Sequence, residues 1–345
     1  MVRGSFEYLA PHARGANDVD PSAVGLNKSS SEMYGKDLHQ LTEVEVLNAR
    51  QAKVAPKLHV NGFELGILPE PTKVVDFFDD DHVAETLYPE LEDYLKRVTG
   101  APFVIAAGHV ARHAGGLNEA TKFQTHVNDG EIEVMGPHHN VHNDFTEDTR
   151  QRIIDYLTPG TPRNKMGGIQ TFGDPHEILK PPRSLADRGI TLDMLTDARI
   201  MVVNVWRATK NFPLKDEPIA CLDKQTVARE DLVRWPFASY VHGSSGRRFP
   251  LYDSAYYKAK HSPAHQWYYY PDLKREEVVL IKTFDSADWD EVPGSFHCGF
   301  HSAFTDPTTP PGTPPRESCE ARGICIFPGE HGKPNRFKQQ PRSVL

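Results

Sequence analysis

The sequence predicts a mainly β fold with flanking helices, an antiparallel sandwich or barrel that carries its helices on one side. Three observations lead there. β-Rich runs crowd the second half of the chain, RIMVVNVWRA (199–208), EEVVLIKTFD (276–285), GSFHCGFHSAF (294–304) and ESCEARGICIF (317–327), with turn residues between them. Helical periodicity is confined to the first half. Alternating βαβ units are missing, as are the patterns GxGxxG and GxxxxGK[ST], which disfavours a parallel nucleotide-binding sheet.

Taken in order, residues 1–55 read as an irregular N-terminal arm, polar and containing SSSEMYGKD, and residues 56–345 as a single domain. From Asp79, DDDHVAETLYPELEDYLKRVTG places Val83, Leu87, Leu91 and Leu95 at four-residue steps, opens on acids and stops at Gly100, the signature of a helix. APFVIAAGHV (101–110) follows as a buried strand. In GPHHNVHNDFTEDTRQRIIDYL, Thr146 is placed to cap a helix that turns Ile153, Ile154 and Leu157 inward, so the histidines before it fall on a strand end or loop. The last two β-rich runs flank PTTPPGTPP (307–315) and read as a hairpin.

Composition narrows the function classes. The chain has 345 residues and 38.8 kDa, 38% hydrophobic and 25% charged residues, a mean hydropathy of −0.53, and 17 Phe, 12 Tyr and 4 Trp, as expected of a packed interior. A net charge of −8 leaves nothing basic to neutralise a run of phosphates, which argues against nucleic-acid and anionic-membrane partners and for a small-molecule substrate. MVRGSFEYLAPHARG lacks the apolar run of a secretory signal, so a cytoplasmic location is expected, with a homodimer as the assembly allowed for. Cys221, Cys298, Cys319 and Cys325 have no zinc-site spacing and read as small core hydrophobes.

Seventeen histidines raise the question of a metal. A non-haem Fe(II) oxygenase binds iron through two His and one carboxylate on one face, leaving positions open for a 2-oxo acid and oxygen. The first His and the carboxylate are typically two apart, and the second His arrives from a late strand. Chance alone gives roughly two such H-x-D/E pairs in a chain of this composition. Only one occurs, His142-Asn143-Asp144, and the spacing alone favours the bland reading, with His142 a surface loop residue and Asp144 a helix-start acid. The context favours the metal. His301 in GFHSAF lies on a late strand, ahead of a turn and a strand bearing Arg316, Ser318, Glu320 and Arg322 on one face. An arginine there, with a serine two residues away, suits the distal carboxylate of 2-oxoglutarate, whereas the alternative is a salt-bridged exterior face. His297 competes with His301, which is preferred because it lies nearer the turn; His138 and His139 read as loop residues, and His109 and His113 as structural histidines.

Six ordered pieces then carry a resemblance: FELGILPEPTKVVDFFDDDHVAETLYPELEDYLKRVTGA, FVIAAGHVARH, VHNDFT, NVWR with PLKDEPIACLDKQTV, HQWYYYPDL with EEVVLIKTFDS, and FHSAFTDPTTPPGTPPRESCEAR. From about residue 60 onward the chain resembles the gibberellin desaturase-like and cephamycin-hydroxylase-like fungal oxygenases that depend on iron and 2-oxoglutarate. The resemblance implies a double-stranded β-helix (jelly roll), iron held by His142, Asp144 and His301, and 2-oxoglutarate held by the strand of Arg316, Ser318 and Arg322. On 203–207 only one alternate set can face the barrel: Arg207, which could pair with a substrate carboxylate, or Asn204 and Trp206, which could bond the co-substrate and wall the pocket. Tyr268, Tyr269 and Tyr270 read as a pocket wall or, preferably, as edge-strand aromatics.

The implied function is C–H oxidation of a small natural-product intermediate, by hydroxylation, desaturation or oxidative cyclisation, with Fe(II), 2-oxoglutarate and O2 as cofactors and an amino acid or other carboxylate among the candidate substrates. The alternatives are a zinc-type metallohydrolase on the same three residues and a non-catalytic jelly-roll binding protein.

Overall fold

The computed structural model describes residues 1–13, 38–68, 76–114, 136–161, 164, 172, 178–236, 239–242, 248–251, 255–289 and 299–333. In chain order the described elements are β1 (Val2–Leu9), β2 (His39–Asn48), β3 (Phe63–Ile67), helix α1 (Asp80–Thr99), β4 (Phe103–His113), β5 (His142–Asn143), α2 (Thr149–Leu157), α3 (Leu192–Thr196), β6 (Ala198–Ala208), β7 (Ile219–Leu222), β8 (Leu232–Pro236), β9 (Ser239–His242), β10 (Arg248–Leu251), β11 (Ala255–Ala259), β12 (Trp267–Tyr269), β13 (Glu277–Asp285), α4 (Ser286–Trp289), β14 (His301–Ala303) and β15 (Glu317–Pro328). They form an eight-stranded sheet in the order β1-β2-β12-β7-β14-β5-β11-β8, a five-stranded sheet in the order β3-β13-β6-β15-β4, and a β9–β10 ribbon. Nearly all pairings are antiparallel, and side chains of the two large sheets meet between them, as the expected jelly roll requires.

The sequence dictates the elements that position the site. Helix α1 is capped by the Asp79 side chain, which accepts from the His82 N–H, and ends at Gly100, whose φ of 69° supplies the left-handed turn. Its Val83, Leu87, Leu91 and Leu95 are buried against Val203, Val205 and Cys319, covering the outer face of the five-stranded sheet. β6 is buried at every position because it is flanked by β13 and β15 and covered on both faces, hence its continuous apolar run.

Three expectations are corrected. The first 55 residues are not irregular throughout: β1 pairs with β2 along its whole length, and β2 adds to β12, so both extend the large sheet. The period-two alternation of FEYL and TEVEVLN is the signal that the polar composition concealed. Residues 14–37, including all of SSSEMYGKD, lie outside the described residues. Strands β14 and β15 are not a hairpin, because they belong to different sheets; the proline-rich loop carries the chain from one to the other. Helix α2 begins at Thr149 with Asp148 at the N-cap position, two residues after Thr146, whose carbonyl accepts from the Thr149 N–H. Cys221, Cys319 and Cys325 are buried free thiols, as expected, and Cys298 lies outside the described residues. Among the described residues no helix is long and apolar enough to cross a membrane.

Candidate active site

His142 opens β5 and is paired directly with His301, which opens β14. Directly paired residues of antiparallel strands project to one face, so the two rings lie side by side with centroids 4.4 Å apart. Asp144 follows immediately after β5. Its turn is shaped by Asn143, whose amide donates to the Phe145 carbonyl at 2.6 Å while its Oδ1 accepts from the Gly299 N–H at 2.8 Å, tying the turn to the start of β14. Ligand atoms of His142, Asp144 and His301 all fall within 4.8 Å of one another.

Both imidazoles are locked from behind. His142 Nδ1 lies 2.7 Å from the Asn140 carbonyl and His301 Nδ1 lies 2.9 Å from the Gly299 carbonyl. A nitrogen facing a carbonyl must carry the proton, which leaves the lone pair on Nε2. Burial, with His301 alongside, pushes His142 down to about 3, so it is a neutral imidazole at physiological pH. For Asp144, burial acts upward, but Arg322, the two imidazoles and Asn204 together hold the carboxyl well below the usual range. Its Oδ2 accepts from Asn204 Nδ2 at 2.8 Å and from Arg322 Nε and Nη2 at 3.2 and 2.9 Å, while Oδ1 lies 3.5 Å from His142 Nε2. One carboxylate oxygen is therefore held by the five-stranded sheet and the other is turned toward the imidazoles. Two imidazole nitrogens and one ionised oxygen on one side of a point are the donor set of a divalent transition metal with open positions.

The polar face of the last strand points inward, not to an exterior. Arg316, Ser318 and Arg322 are 4%, 1% and 8% exposed. The two arginines differ. Arg322 is ion-paired with Asp144 and with Glu320 at 3.1 Å and donates to the Gly108 carbonyl. Arg316 donates from Nε to Ser318 Oγ at 3.0 Å and from Nη1 to the Glu217 carbonyl at 2.7 Å, and its guanidinium lies 4.9 Å from the Trp206 ring centroid. It forms no ion pair with a described carboxylate, and burial and then Arg112 push it down to about 9. Arg112 was not singled out from the sequence. It is paired with Ser318 across β4 and β15 and so enters the same interior, where three guanidiniums face the carboxylates of Asp144 and Glu320.

The alternation on β6 resolves in favour of Asn204 and Trp206. Arg207 is not at the site: it shares its face with Val203 and Val205, its guanidinium lies 5.6 Å from the Phe77 ring and donates to the Arg275 carbonyl, on the side covered by α1. Its strand position allowed either face, and packing under the helix decided it. Asn204 faces inward and is engaged by Asp144 and by the Thr283 hydroxyl at 3.1 Å. His138 is a loop residue, as expected, and its ring stands edge-on to His142 with centroids 4.5 Å apart. His139 pairs with Glu217. His109, between Asp80 and Tyr88, is a satisfied structural histidine, and Tyr268 to Tyr270 pack in aromatic clusters away from the triad. His297 lies outside the described residues.

The family described as oxidoreductase/YMDC permease-like domain matches residues 6–168 and 183–326. The chain belongs to this family. Relatives within reach of this oxidoreductase family member include the hydroxylase/desaturase efuI of Hormonema carpetanum, 28% identical over 66% of this chain and 66% of its own length. Another is the alpha-ketoglutarate-dependent dioxygenase phiK of a fungal species, 24% identical over 95% of this chain and 96% of its own length. Among solved structures, the iron and alpha-ketoglutarate-dependent endoperoxidase NvfI superposes with a TM-score of 0.63 at 20% identity, covering 95% of this chain and 98% of that one. The expected kinship with fungal iron- and 2-oxoglutarate-dependent oxygenases is borne out, and so is the jelly roll.

Proposed function

We propose that the protein is a cytoplasmic Fe(II)- and 2-oxoglutarate-dependent oxygenase that oxidises an unactivated C–H bond of a small natural-product intermediate, with His142, Asp144 and His301 as the iron ligands. The single observation carrying this reading is the convergence of three ligand atoms within 4.8 Å, from two segments far apart in the chain, inside a barrel of this family. Bound iron, with 2-oxoglutarate and oxygen, supplies an oxidant strong enough to take hydrogen from carbon, and 2-oxoglutarate leaves as succinate and CO2.

The chain's own residues account for placement. The Asn140 and Gly299 carbonyls fix the imidazole tautomers, and Arg322 with Asn204 fixes one oxygen of Asp144, so the carboxylate offers iron a single oxygen. A single-oxygen ligand beside two imidazoles would leave iron open positions for the 2-oxo acid and oxygen. Arg316 and Ser318 hold the distal carboxylate of 2-oxoglutarate: Arg316, like Arg112, has no ion-paired carboxylate among the described residues, but it alone of the two lies against Trp206 and next to the Ser318 hydroxyl. Arg322 is a positioning residue for Asp144. A zinc hydrolase would leave Arg316 and Ser318 without a task, and nothing favours a non-catalytic barrel.

Anaerobic addition of Fe(II) and then 2-oxoglutarate is expected to give a weak visible charge-transfer band. His301→Ala is expected to remove the band and substrate-dependent succinate formation together. A His301→Ala protein that still forms the band overturns the ligand assignment, and its absence from the unaltered protein overturns the oxygenase reading.

A further inference from the structure

With Arg207 facing α1, the residue that holds the substrate must come from elsewhere. β11 lies beside β5, and its Lys258 is directly opposite His142, just as His301 is directly opposite His142 on the other flank. All three side chains therefore leave the same face of the eight-stranded sheet, with neighbouring Cβ atoms about 5 Å apart. Lys258 is 6% exposed, unusual for a lysine outside an ion pair. Its ammonium lies 4.8 Å from the Trp235 ring centroid and 5.9 Å from that of Tyr256, and donates to His39 Nε2 at 2.7 Å. No described carboxylate forms an ion pair with it, and the charge of Glu7 acts only from further away.

A buried cation left without a counter-ion is strongly destabilising, and cation–π contacts with two rings recover only part of the loss. Arg316 presents the same situation across the site, with 2-oxoglutarate as its proposed anion. Lys258 lies on the opposite flank of the imidazoles, in the sheet that does not carry Arg316, so one five-carbon diacid held at Arg316 and at the metal leaves Lys258 for a second anion. Trp235 and Tyr256 beside the ammonium, with Leu9, Leu38 and Val233 packed around them, would wall an apolar body attached to that anion.

We propose that Lys258 anchors a carboxylate of the substrate, which is thus a mainly apolar carboxylic acid seated against Trp235 and Tyr256 with its reacting carbon toward the metal centre. The inference rests on the oxygenase reading. It is tested by titrating anaerobic protein, loaded with Fe(II) and 2-oxoglutarate, with a panel of aryl and alkyl carboxylates, each paired with its primary amide, and measuring binding by calorimetry. For the unaltered protein at least one acid is expected to bind about tenfold or more tightly than its amide. Lys258→Met is expected to bring that pair to equal affinity while Lys258→Arg keeps most of the preference; Lys258→Gln is the second neutral variant should Lys258→Met not fold. No acid preference in the unaltered protein, or one that survives in the neutral variant, overturns the proposal and makes Lys258 a packing residue. The charge-transfer band, recorded in the same samples, tests the oxygenase reading separately: its absence from the unaltered protein defeats that reading, whereas a normal band without acid preference defeats only the role of Lys258.

Discussion

Two groups of buried charges lie toward opposite ends of β6 and are built on opposite principles. Near its start, Arg199 holds Asp285 through two bonds of 2.8 Å, and Lys282 lies 3.2 Å from Asp285 and 3.0 Å from Asp288, with all four side chains essentially inaccessible. Every charge there meets its opposite within the chain. Toward the other end, Arg316 is as deeply buried yet has no ion-paired carboxylate, and across the barrel Lys258 repeats the pattern. Paired burial is compatible with a purely structural role, whereas unpaired burial is a cost that folding alone does not offset. Among the side chains that face the barrel interior, the difference marks which end is completed by ligands; Arg207, also buried without an ion pair, lies outside that interior, under α1.

The comparison can be broken by deleting one charge from each end. Asp285→Asn leaves Lys282 and Arg199 short of a partner in the interior, and is expected to destabilise the fold by about 3–5 kcal/mol in denaturant unfolding. Arg316→Met removes a cation that has no ion-paired carboxylate, so its unfolding free energy is expected to stay within about 1 kcal/mol of the unaltered protein. The same variant is expected to weaken 2-oxoglutarate about 100-fold, read from the charge-transfer titration, since a charge-assisted bidentate contact is lost. A destabilisation of Arg316→Met as large as that of Asp285→Asn would show that the two ends do not differ.

Arg322 sharpens the same contrast because it belongs to both kinds. It is paired, with Asp144 and Glu320, but its partner Asp144 is itself a proposed ligand. Arg322→Ala is expected to weaken Fe(II) binding about tenfold, as loss of an outer-shell partner does, with a smaller effect on 2-oxoglutarate than Arg316→Met. Equal effects of the two arginine variants on 2-oxoglutarate would remove the distinction drawn between them.

Much of this site is legible in the sequence, and the failures have physical reasons. His142-x-Asp144 and His301 can be read because metal chemistry fixes residue type and order. The inward face of Ser318, Glu320 and Arg322 can be read because alternation along β15 runs at period two from residue 318 to 322 with β6, and Arg316, just ahead of the strand, continues it. Alternation alone does not say which side of β6 is interior; that depends on where α1 packs, and so Arg207 and Asn204 stayed undecided until the fold was known. The hairpin between β14 and β15 failed because adjacency in sequence does not fix adjacency in a sheet when a proline-rich loop can cross between sheets. Lys258 and Arg112 carry no pattern at all: each is a single basic residue in a strand, and only register with His142 and Ser318 reveals where it points.

The smallest expected effect concerns acid. At Asp285, burial acts upward, but Lys282 and Arg199 hold the carboxyl below its ordinary value of 3.8. The unfolded chain therefore takes up a proton there before the folded one does. The contribution of Asp285 to stability is fully present above about pH 5 and is lost as the pH falls through about 4 toward the depressed folded value. In melting curves recorded between pH 6 and pH 3, the acid limb of Asp285→Asn is expected to be shallower than that of the unaltered protein, while Arg316→Met, with no ion-paired carboxylate to release, keeps the parent slope. A parent-like acid limb in Asp285→Asn would mean that the closed network does not draw its stability from this ion pair, and the contrast between the two ends of β6 would then rest on ligand binding alone.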